Sequence, residues 1–325
     1  MSYAYYPGCS LEAGSAAYDL SVRAVVEKLG LQLDELDDWN CCGATEYFTQ
    51  DELVATSVIA RNLALVDDRH DQLVAPCAAC YLNLKKVDLL MTEQPHMHRQ
   101  INEALGAGGL RYRPGRVRVR HLLDVLYTDV GEAALKAKVV QPLTGLRVAP
   151  YYGCQVVRPF GDFDNPEYPM KMDEMFTWLG AEVVDYPVKS HCCGGHMTQL
   201  SEDMAFELIR RLLQSAKDYR AHVILAMCPM CQLNMDAYQG RVNAYFNEDF
   251  HLPIVFFTQL LGVALGIDYK QLGFGKELVR AEDEIRANLQ AQAAGATAYG
   301  GRAITLGAAS RAALPSGTAR RTCIS

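Results

Sequence analysis

Ten of the eleven cysteines in the sequence fall into two matching sets of five. The first set consists of Cys9, Cys41, Cys42, Cys77 and Cys80. The second set consists of Cys154, Cys192, Cys193, Cys228 and Cys231. The spacing is C-x31-CC-x34-C-x2-C in the first set and C-x37-CC-x34-C-x2-C in the second. Because flanking residues repeat as well, the pattern predicts a duplication that produced two domains of one fold.

Five cysteines in each half indicate a metal centre built from thiolates. Thiolate is a soft ligand that selects zinc, copper(I) or iron–sulfur clusters. Zinc takes four ligands and so does a standard cubane cluster, which leaves one cysteine over in each half. Adjacent cysteines such as Cys41 and Cys42 suit neighbouring irons. The count therefore favours a larger or irregular iron–sulfur cluster, with a zinc-stabilised scaffold as the alternative.

The paired motif resembles the CCG-domain family, specifically the disulfide-cleaving B subunit of heterodisulfide reductase, over about residues 2–270. The resemblance implies two non-cubane [4Fe-4S] clusters. It assigns the first cluster to Cys9, Cys41, Cys42, Cys77 and Cys80. It assigns the second to Cys154, Cys192, Cys193, Cys228 and Cys231. In the family the disulfide lies between the clusters and each takes one sulfur, so the same ten cysteines are the implied catalytic residues.

The resemblance also implies a function and partners. The chain would be the catalytic iron–sulfur subunit of a heterodisulfide-reductase-like complex that reduces or forms a disulfide. A cubane iron–sulfur protein similar to the family's C subunit would donate electrons, and a flavin-containing protein similar to the family's A subunit would lie beyond it. The substrate stays open between the coenzyme M–coenzyme B disulfide, lipoate-bound sulfur and another disulfide. The alternative is an electron-transfer subunit of a quinone-linked or other dehydrogenase complex, without disulfide chemistry.

Composition and charge are typical of a soluble cytoplasmic protein. The chain has 325 residues, of which 50% are hydrophobic, and a formal net charge of -7, which argues against a nucleic-acid-binding surface. No apolar run is long enough for a membrane helix, and the N-terminus lacks the basic and apolar regions of an export signal. A cytosolic chain of this length does not need disulfides, so the cysteines indicate metal or redox chemistry.

Strands that alternate with helices predict an α/β fold in which each domain has a small, mainly parallel sheet flanked by helices. Short β-prone segments precede the first cysteine of each set and each CxxC, and a helix is expected to begin inside each CxxC. The cysteines should therefore lie at strand ends and helix starts, where sites of open α/β sheets collect. We assign the domains to residues 1–143 and 144–270, and expect 271–325 to be a disordered extension.

Other residues carry weaker signals. His191 and His196 flank the second cysteine pair and could protonate a product thiolate, although a surface or supporting role is the favoured interpretation. The segment 195–199 is a candidate wall of the substrate space. The basic run 111–120 could bind a partner or form a solvated linker. Cys323 has no counterpart in the other half and is not expected to be a ligand.

Overall fold

The computed structural model describes residues 1–44 and 46–299, with the backbone alone for Glu46 and 291–299. The strands of the first half are β1 Ser2–Tyr5, β2 Gln32–Glu35, β3 Gln72–Ala75 and β4 Arg118–His121. Its α-helices are α1 Cys9–Glu12, α2 Ala16–Leu29, α3 Glu46–Gln50, α4 Glu52–Ala64, α5 Ala78–Glu93, α6 Pro95–Gly106, α7 Leu122–Val125 and α8 Gly131–Ala137, with a π-helical turn at Leu126–Val130.

The second half repeats this order of elements. Its strands are β5 Arg147–Tyr151, β6 Glu182–Val183, β7 Val223–Ala226 and β8 Ile254–Phe256. Its α-helices are α9 Lys171–Trp178, α10 Glu202–Asp218, α11 Pro229–Ala237, α12 Gln239–Phe246, α13 Phe257–Ala264 and α14 Glu282–Tyr299, with a 3-10 turn at Gly195–Gln199.

Each half contains one parallel sheet, and the two sheets have the same topology. Within the described residues the strand orders are β2-β1-β3-β4 and β6-β5-β7-β8, and every pairing is parallel. The central strand β7 is buried along its whole length, because helices cover both faces of a parallel sheet. The predicted α/β fold with two duplicated domains is therefore confirmed.

Helices begin at the two CxxC motifs as predicted. Cys77 is the N-cap of α5 and Cys228 is the N-cap of α11, each directly after a buried strand. The edge strands β2 and β6 were not identified in the sequence. The segment that forms β2 is polar, Gln32-Leu33-Asp34-Glu35, and only one of its sides pairs with a neighbour, so it lacks the apolar signature of a buried strand.

Helices of the two halves pack against each other. Helix α2 of the first half packs against α13 of the second, and α7 packs against α9. At the first contact the ring of Tyr18 stacks on Phe256 with centroids 4.1 Å apart. At the second contact Lys171 Nζ lies 2.6 Å from Asp124 Oδ1. The helix that follows the last strand of each sheet therefore packs on an early helix of the other half, so the two halves are joined at two places.

The C-terminal extension differs from the sequence expectation. Helix α14 spans Glu282–Tyr299, and Ala281, Ile285 and Leu289 are buried in the hydrophobic core. These residues recur every four positions, so one helix face packs on the domain. The expectation of disorder is therefore wrong for 281–289, because the composition shift behind it begins only near Gln290. Residues 300–325, with Cys323, lie outside the described residues, and the domain boundaries remain predictions.

Candidate active site

All ten cysteines of the two sets line one cavity of about 430 Å³. Its walls come from the loops after β1 and β5, from the two adjacent-cysteine loops, and from the CxxC turns at the starts of α5 and α11. These are the carboxyl ends of parallel strands, where open α/β sheets bind ligands. The structure thus brings together every cysteine that the sequence selected.

Within each half the thiols stand in close pairs. Cys41 Sγ lies 3.3 Å from Cys9 Sγ, and Cys42 Sγ lies 3.3 Å from Cys80 Sγ. The corresponding pair in the second half, Cys193 Sγ and Cys231 Sγ, is 3.4 Å apart. Cysteines of the CxxC motifs are buried, whereas Cys9 and Cys192 are exposed. Among the described residues, no group of three or more His, Cys, Asp or Glu side chains is arranged to hold a single metal ion.

Crowding of the thiols perturbs their acidity. Hydrogen bonds from the Cys41 and Cys80 thiols lower the pKa of Cys42 to about 4, while contact with Cys42 raises the pKa of Cys41. In the second half the order is reversed. Hydrogen bonds lower the pKa of Cys192 to about 2, and its contact raises the pKa of Cys193 to about 12. Thiols that share protons in this way are readily deprotonated by a soft metal.

Backbone groups of the adjacent-cysteine loops point at sulfur. Gly43 N–H donates to Cys41 Sγ at 3.3 Å, and Gly194 N–H donates to Cys192 Sγ at 3.4 Å. Both glycines have positive φ, 70° and 94°, which turns the chain back toward the cysteine. Hydrogen bonds of this kind reduce the charge density on a metal-bound thiolate.

Two buried asparagines hold the same loops through hydrogen bonds to backbone carbonyls. Asn83 Nδ2 donates to the carbonyl oxygen of Cys42 at 3.0 Å and to that of the residue two positions later at 2.6 Å. Asn234 Nδ2 makes the equivalent bonds to Cys193 at 3.2 Å and to the residue two positions later at 2.8 Å. Neither was identified from the sequence, although each lies three residues after the second cysteine of its CxxC.

Glycines before the first cysteine of each set allow the cavity walls to meet. A Cβ on Gly8 would lie 2.8 Å from Cys80 Sγ, and a Cβ on Gly153 would lie 3.3 Å from Cys231 Sγ. Both have positive φ, 78° and 67°. Since a side chain at either position would press on a cysteine sulfur, only glycine leaves these thiols in place.

The two CxxC motifs meet at the boundary between the halves. Contact with Cys228 raises the pKa of Cys77, so the first cysteines of the two motifs face each other. Tyr18 O–H donates to the carbonyl oxygen of Pro76 at 2.7 Å and lies 3.4 Å from that of Met227. These carbonyls directly precede the two cysteines. One fully buried tyrosine therefore links both motifs.

His121 is a second buried polar residue at this boundary. Its Nδ1 accepts a hydrogen bond from Leu123 N–H at 3.1 Å, and its Nε2 has no hydrogen-bond partner of regular geometry among the described residues. Burial lowers the pKa of His121 to about 4, partly opposed by the carbonyls of Met227 and Pro76. The imidazole is therefore neutral at neutral pH. His121 pairs with Ala75 in the first sheet, and at the equivalent position of the second sheet Phe256 pairs with Ala226. The two halves therefore differ here, with histidine in one and phenylalanine in the other.

The weaker sequence candidates separate into two groups. Gly195, His196 and Met197 line the cavity, as expected of the segment 195–199. His191 is exposed and is not among the described cavity residues, although its carbonyl oxygen accepts a hydrogen bond from Tyr151 at 2.6 Å. In the basic run 111–120, Arg120 is 4% exposed and forms ion pairs with two aspartates, so this residue is not part of a solvated linker.

A family model agrees with both halves. The model of the Cysteine-rich domain family (CCG) matches two segments, residues 3–85 and residues 148–236. The two matches lie in different halves and together cover more than half of the chain. A solved structure, that of a hypothetical protein from Helicobacter pylori, superposes with a TM-score of 0.68 at 14% identity. The match covers 86% of this chain and 52% of that one, and it shows the fold alone.

Relatives with names are subunits of redox enzymes. The chain is 33% identical to the 8-methylmenaquinol:fumarate reductase membrane anchor subunit of Wolinella succinogenes, over 86% of this chain and 97% of that one. It is 29% identical to a protein of Archaeoglobus profundus that is named as like the B subunit of heterodisulfide reductase, over 82% and 92%. It is also 29% identical to the B subunit of the ferredoxin:CoB-CoM heterodisulfide reductase of Methanosarcina mazei, over 84% and 92%.

Across the residues that the structure describes, no helix has the length and apolar character to cross a membrane. Each matched segment covers the first three strands of one sheet and contains one complete set of five cysteines. The relatives extend the likeness over more than 80% of the chain. The chain therefore belongs to the CCG cysteine-rich domain family, as a two-domain member related to the B subunit of heterodisulfide reductase.

Proposed function

We propose that this chain is the catalytic iron–sulfur subunit of a heterodisulfide-reductase-like complex, and that it reduces or forms a disulfide in the cavity between its halves. The observation that carries the proposal is the convergence of both five-cysteine sets on one cavity of about 430 Å³. A disulfide has two equivalent ends and its cleavage takes two electrons. Two equivalent metal centres that face one cavity match both requirements.

The donor set fits iron–sulfur clusters. Each half presents five thiols, with two close sulfur–sulfur pairs in the first half and one in the second. Backbone N–H groups point at sulfur in both halves, and a glycine before the first cysteine of each set leaves room for a cysteine sulfur. We propose that each set holds one non-cubane [4Fe-4S] cluster. When bound, the two clusters would supply one electron each and iron sites that bind the departing thiolates.

Residues of the chain itself would position the two metal centres and donate a proton to a product thiolate. Asn83 and Asn234 hold the adjacent-cysteine loops against the cavity, so the separation of the two metal centres is set by the packed halves. Apolar residues of the wall exclude water from the disulfide. His196 is the one histidine on the described part of the wall, and we assign it the delivery of a proton to a product thiolate.

The relatives are named as subunits, which indicates that this chain also works within a multi-subunit complex. We propose that its electron donor is a cubane iron–sulfur protein similar to the C subunit of heterodisulfide reductase, with a flavin-containing protein similar to the A subunit beyond it. The sequence contains no fingerprint for a flavin or a nicotinamide, so electrons have to arrive from a partner. The proposed location is the cytoplasm.

A second candidate is an electron-transfer subunit of a quinone-linked complex that does no disulfide chemistry. The relative from Wolinella succinogenes, named as a subunit of a quinol:fumarate reductase, favours this candidate. In that case the two metal centres would relay single electrons, and the space between them would need no substrate.

A disulfide assay separates the two candidates. Anaerobically purified chain is supplied with an artificial one-electron donor and a range of low-molecular-weight and lipoyl disulfides. The proposal predicts two thiols for every two electrons consumed, and loss of turnover in Cys42→Ala and in Cys193→Ala, one variant for each half. Oxidation of the donor without thiol formation for every disulfide, with both clusters intact, would favour the electron-transfer candidate.

A further inference from the structure

We infer that helix α6 and the loop that follows it form a binding surface for an acidic segment of a partner protein. This surface, the arginine face, consists of Arg99 on α6 and of Arg111 and Arg113 on the loop. The inference goes beyond the proposed function, because none of these residues lines the cysteine cavity. It follows from unpaired charge, from a loop that is held in place, and from a groove between the two elements.

The arginine face is a positive surface on a negative chain. The segment 95–120 contains six arginines, no lysine and one carboxylate, Glu103, whereas the whole chain has a formal net charge of -7. Arg99, Arg111 and Arg113 are exposed, and within the described residues none of them forms an ion pair or a side-chain hydrogen bond. Ten other described arginines do pair with a carboxylate. The arginine face therefore keeps three guanidinium groups available for a partner.

The loop that carries two of these arginines is anchored to the domain. Tyr112, which lies between Arg111 and Arg113, is 1% exposed, and its hydroxyl donates to Asp88 Oδ1 at 2.6 Å. On α6, Asn102 Oδ1 accepts a hydrogen bond from Tyr112 N–H at 2.9 Å, and Asn102 Nδ2 donates to Tyr112 O at 3.0 Å. Because the buried tyrosine fixes the backbone, the two exposed arginines beside it are presented on an ordered loop, and binding costs little backbone entropy.

A groove of about 420 Å³ lies between α6 and the loop. Its lining contains two arginines of the face, Arg99 and Arg111, together with His98, Asn102, Glu103, Gly106 and Leu110. With two guanidinium groups and one carboxylate, the lining is positive. Guanidinium groups bind carboxylates through two parallel hydrogen bonds, which a lysine cannot form. A segment with two or more glutamate or aspartate side chains matches this arrangement.

A protein segment fits the arginine face better than a membrane or a nucleic acid does. Helices that bind membrane surfaces place large apolar side chains beside their basic residues. None of the exposed large hydrophobic side chains of the described chain lies between residues 90 and 139. A nucleic acid presents a long row of phosphates, which the negative charge of the rest of the chain would repel. A short acidic segment meets the positive face alone.

The loop also leads away from the cysteines. Arg116, which follows the arginine face in the chain, donates to the carbonyl oxygens of Asp67 and His70 at 3.3 and 3.4 Å. These carbonyls precede β3, so the loop ends at the amino end of that strand, whereas the cysteines lie at the carboxyl ends of the strands. The partner would therefore bind through a surface that is separate from the cysteine cavity.

The test measures binding and involves no turnover. A short fluorescein-labelled peptide rich in glutamate is titrated with the intact, anaerobically purified chain and followed by fluorescence anisotropy. The peptide should bind at low ionic strength and lose affinity as salt is added, because salt screens exposed charges. A matched peptide with glutamine in place of glutamate should not bind. Arg99→Gln combined with Arg111→Gln should raise the Kd of the glutamate peptide by about tenfold.

Arg220→Gln combined with Arg280→Gln is the matched control, since both arginines are exposed and neither forms an ion pair with a described residue. This control should bind the peptide with the Kd of the wild type. The inference is overturned if the glutamate peptide does not bind, or if the two double variants lose affinity equally. It is also overturned if phosphatidylglycerol vesicles or duplex DNA bind the wild-type chain more tightly than the peptide does. Because the arginine face does not line the cavity, each of these results leaves the proposed disulfide chemistry standing.

Discussion

Replacement of Asn234 by alanine tests how far the fold itself holds the second metal site. The Asn234 side chain is 1% exposed, and its Nδ2 donates to the carbonyl oxygens of Cys193 at 3.2 Å and Gly195 at 2.8 Å. Asn234→Ala leaves the buried carbonyl of Cys193 and the part-buried carbonyl of Gly195 without their donor. A buried polar group left unsatisfied costs roughly 1–3 kcal/mol and a part-buried group costs less, so the free energy of unfolding should fall by roughly 2–4 kcal/mol.

The assay combines anaerobic denaturant unfolding with iron and acid-labile sulfide content. Asn234→Ala should unfold at lower denaturant and lose iron from the second half, because the loop that carries Cys192 and Cys193 is released. Asn243→Ala is the matched control. It also loses two hydrogen bonds to a loop, with Phe250 O at 2.9 Å and Phe250 N at 2.8 Å, in the same domain but away from the cavity.

Asn243→Ala should therefore lose stability and keep its iron. The reasoning is refuted if Asn234→Ala retains full iron and its stability changes by less than about 0.5 kcal/mol. It is also refuted if the two variants lose iron equally, because the hydrogen bonds at the cysteine loop would then have no particular role in holding the metal.

Three further variants probe the close approach of the walls, the buried histidine and the unmatched cysteine. Gly8→Ala should lose iron, because its Cβ would lie 2.8 Å from Cys80 Sγ. Gly30→Ala is the control, since Gly30 has a similar φ of 76° and no described atom would lie within 4 Å of its Cβ. The control should lose only about 1 kcal/mol of stability in unfolding measurements. Burial lowers the pKa of His121 from 6.5 to about 4, so the unfolded chain takes up a proton at a higher pH than the folded chain does. The free energy of unfolding should therefore drop between pH 7 and 5 by about 2 kcal/mol more in the wild type than in His121→Phe. An equal pH dependence of unfolding in the two proteins would contradict this. Cys323→Ala should leave iron content and turnover unchanged, and a loss of iron would make Cys323 a ligand.

Local chemistry made much of the site predictable from the sequence. The cysteine spacing indicated ten ligands, and the strand-to-helix turns at Cys77 and Cys228 followed from β-prone segments that run into CxxC. These features were accessible because each depends on residues close together in the chain or repeated between the halves.

Features that depend on long-range packing could not be predicted. Tyr18 lies inside an ordinary amphipathic helix, and only the docking of the two halves brings its hydroxyl to carbonyls more than fifty residues away. His121 ends a strand like any other until its burial at the same boundary removes it from water. The start of the helix Glu282–Tyr299 was missed because, among residues 282–290, only Ile285 and Leu289 are buried and most of the other residues are polar.

The central claim is that two iron–sulfur clusters in one chain face a single disulfide. It is tested most directly by an anaerobic titration of the oxidised chain with bis(2-hydroxyethyl) disulfide, monitored by Mössbauer and electron paramagnetic resonance spectroscopy. Wild-type chain should contain about eight irons, and the disulfide should change the signals of both clusters. Cys42→Ala and Cys193→Ala should each retain the signals of the opposite half only. Two intact clusters whose spectra stay unchanged at saturating disulfide would contradict the account.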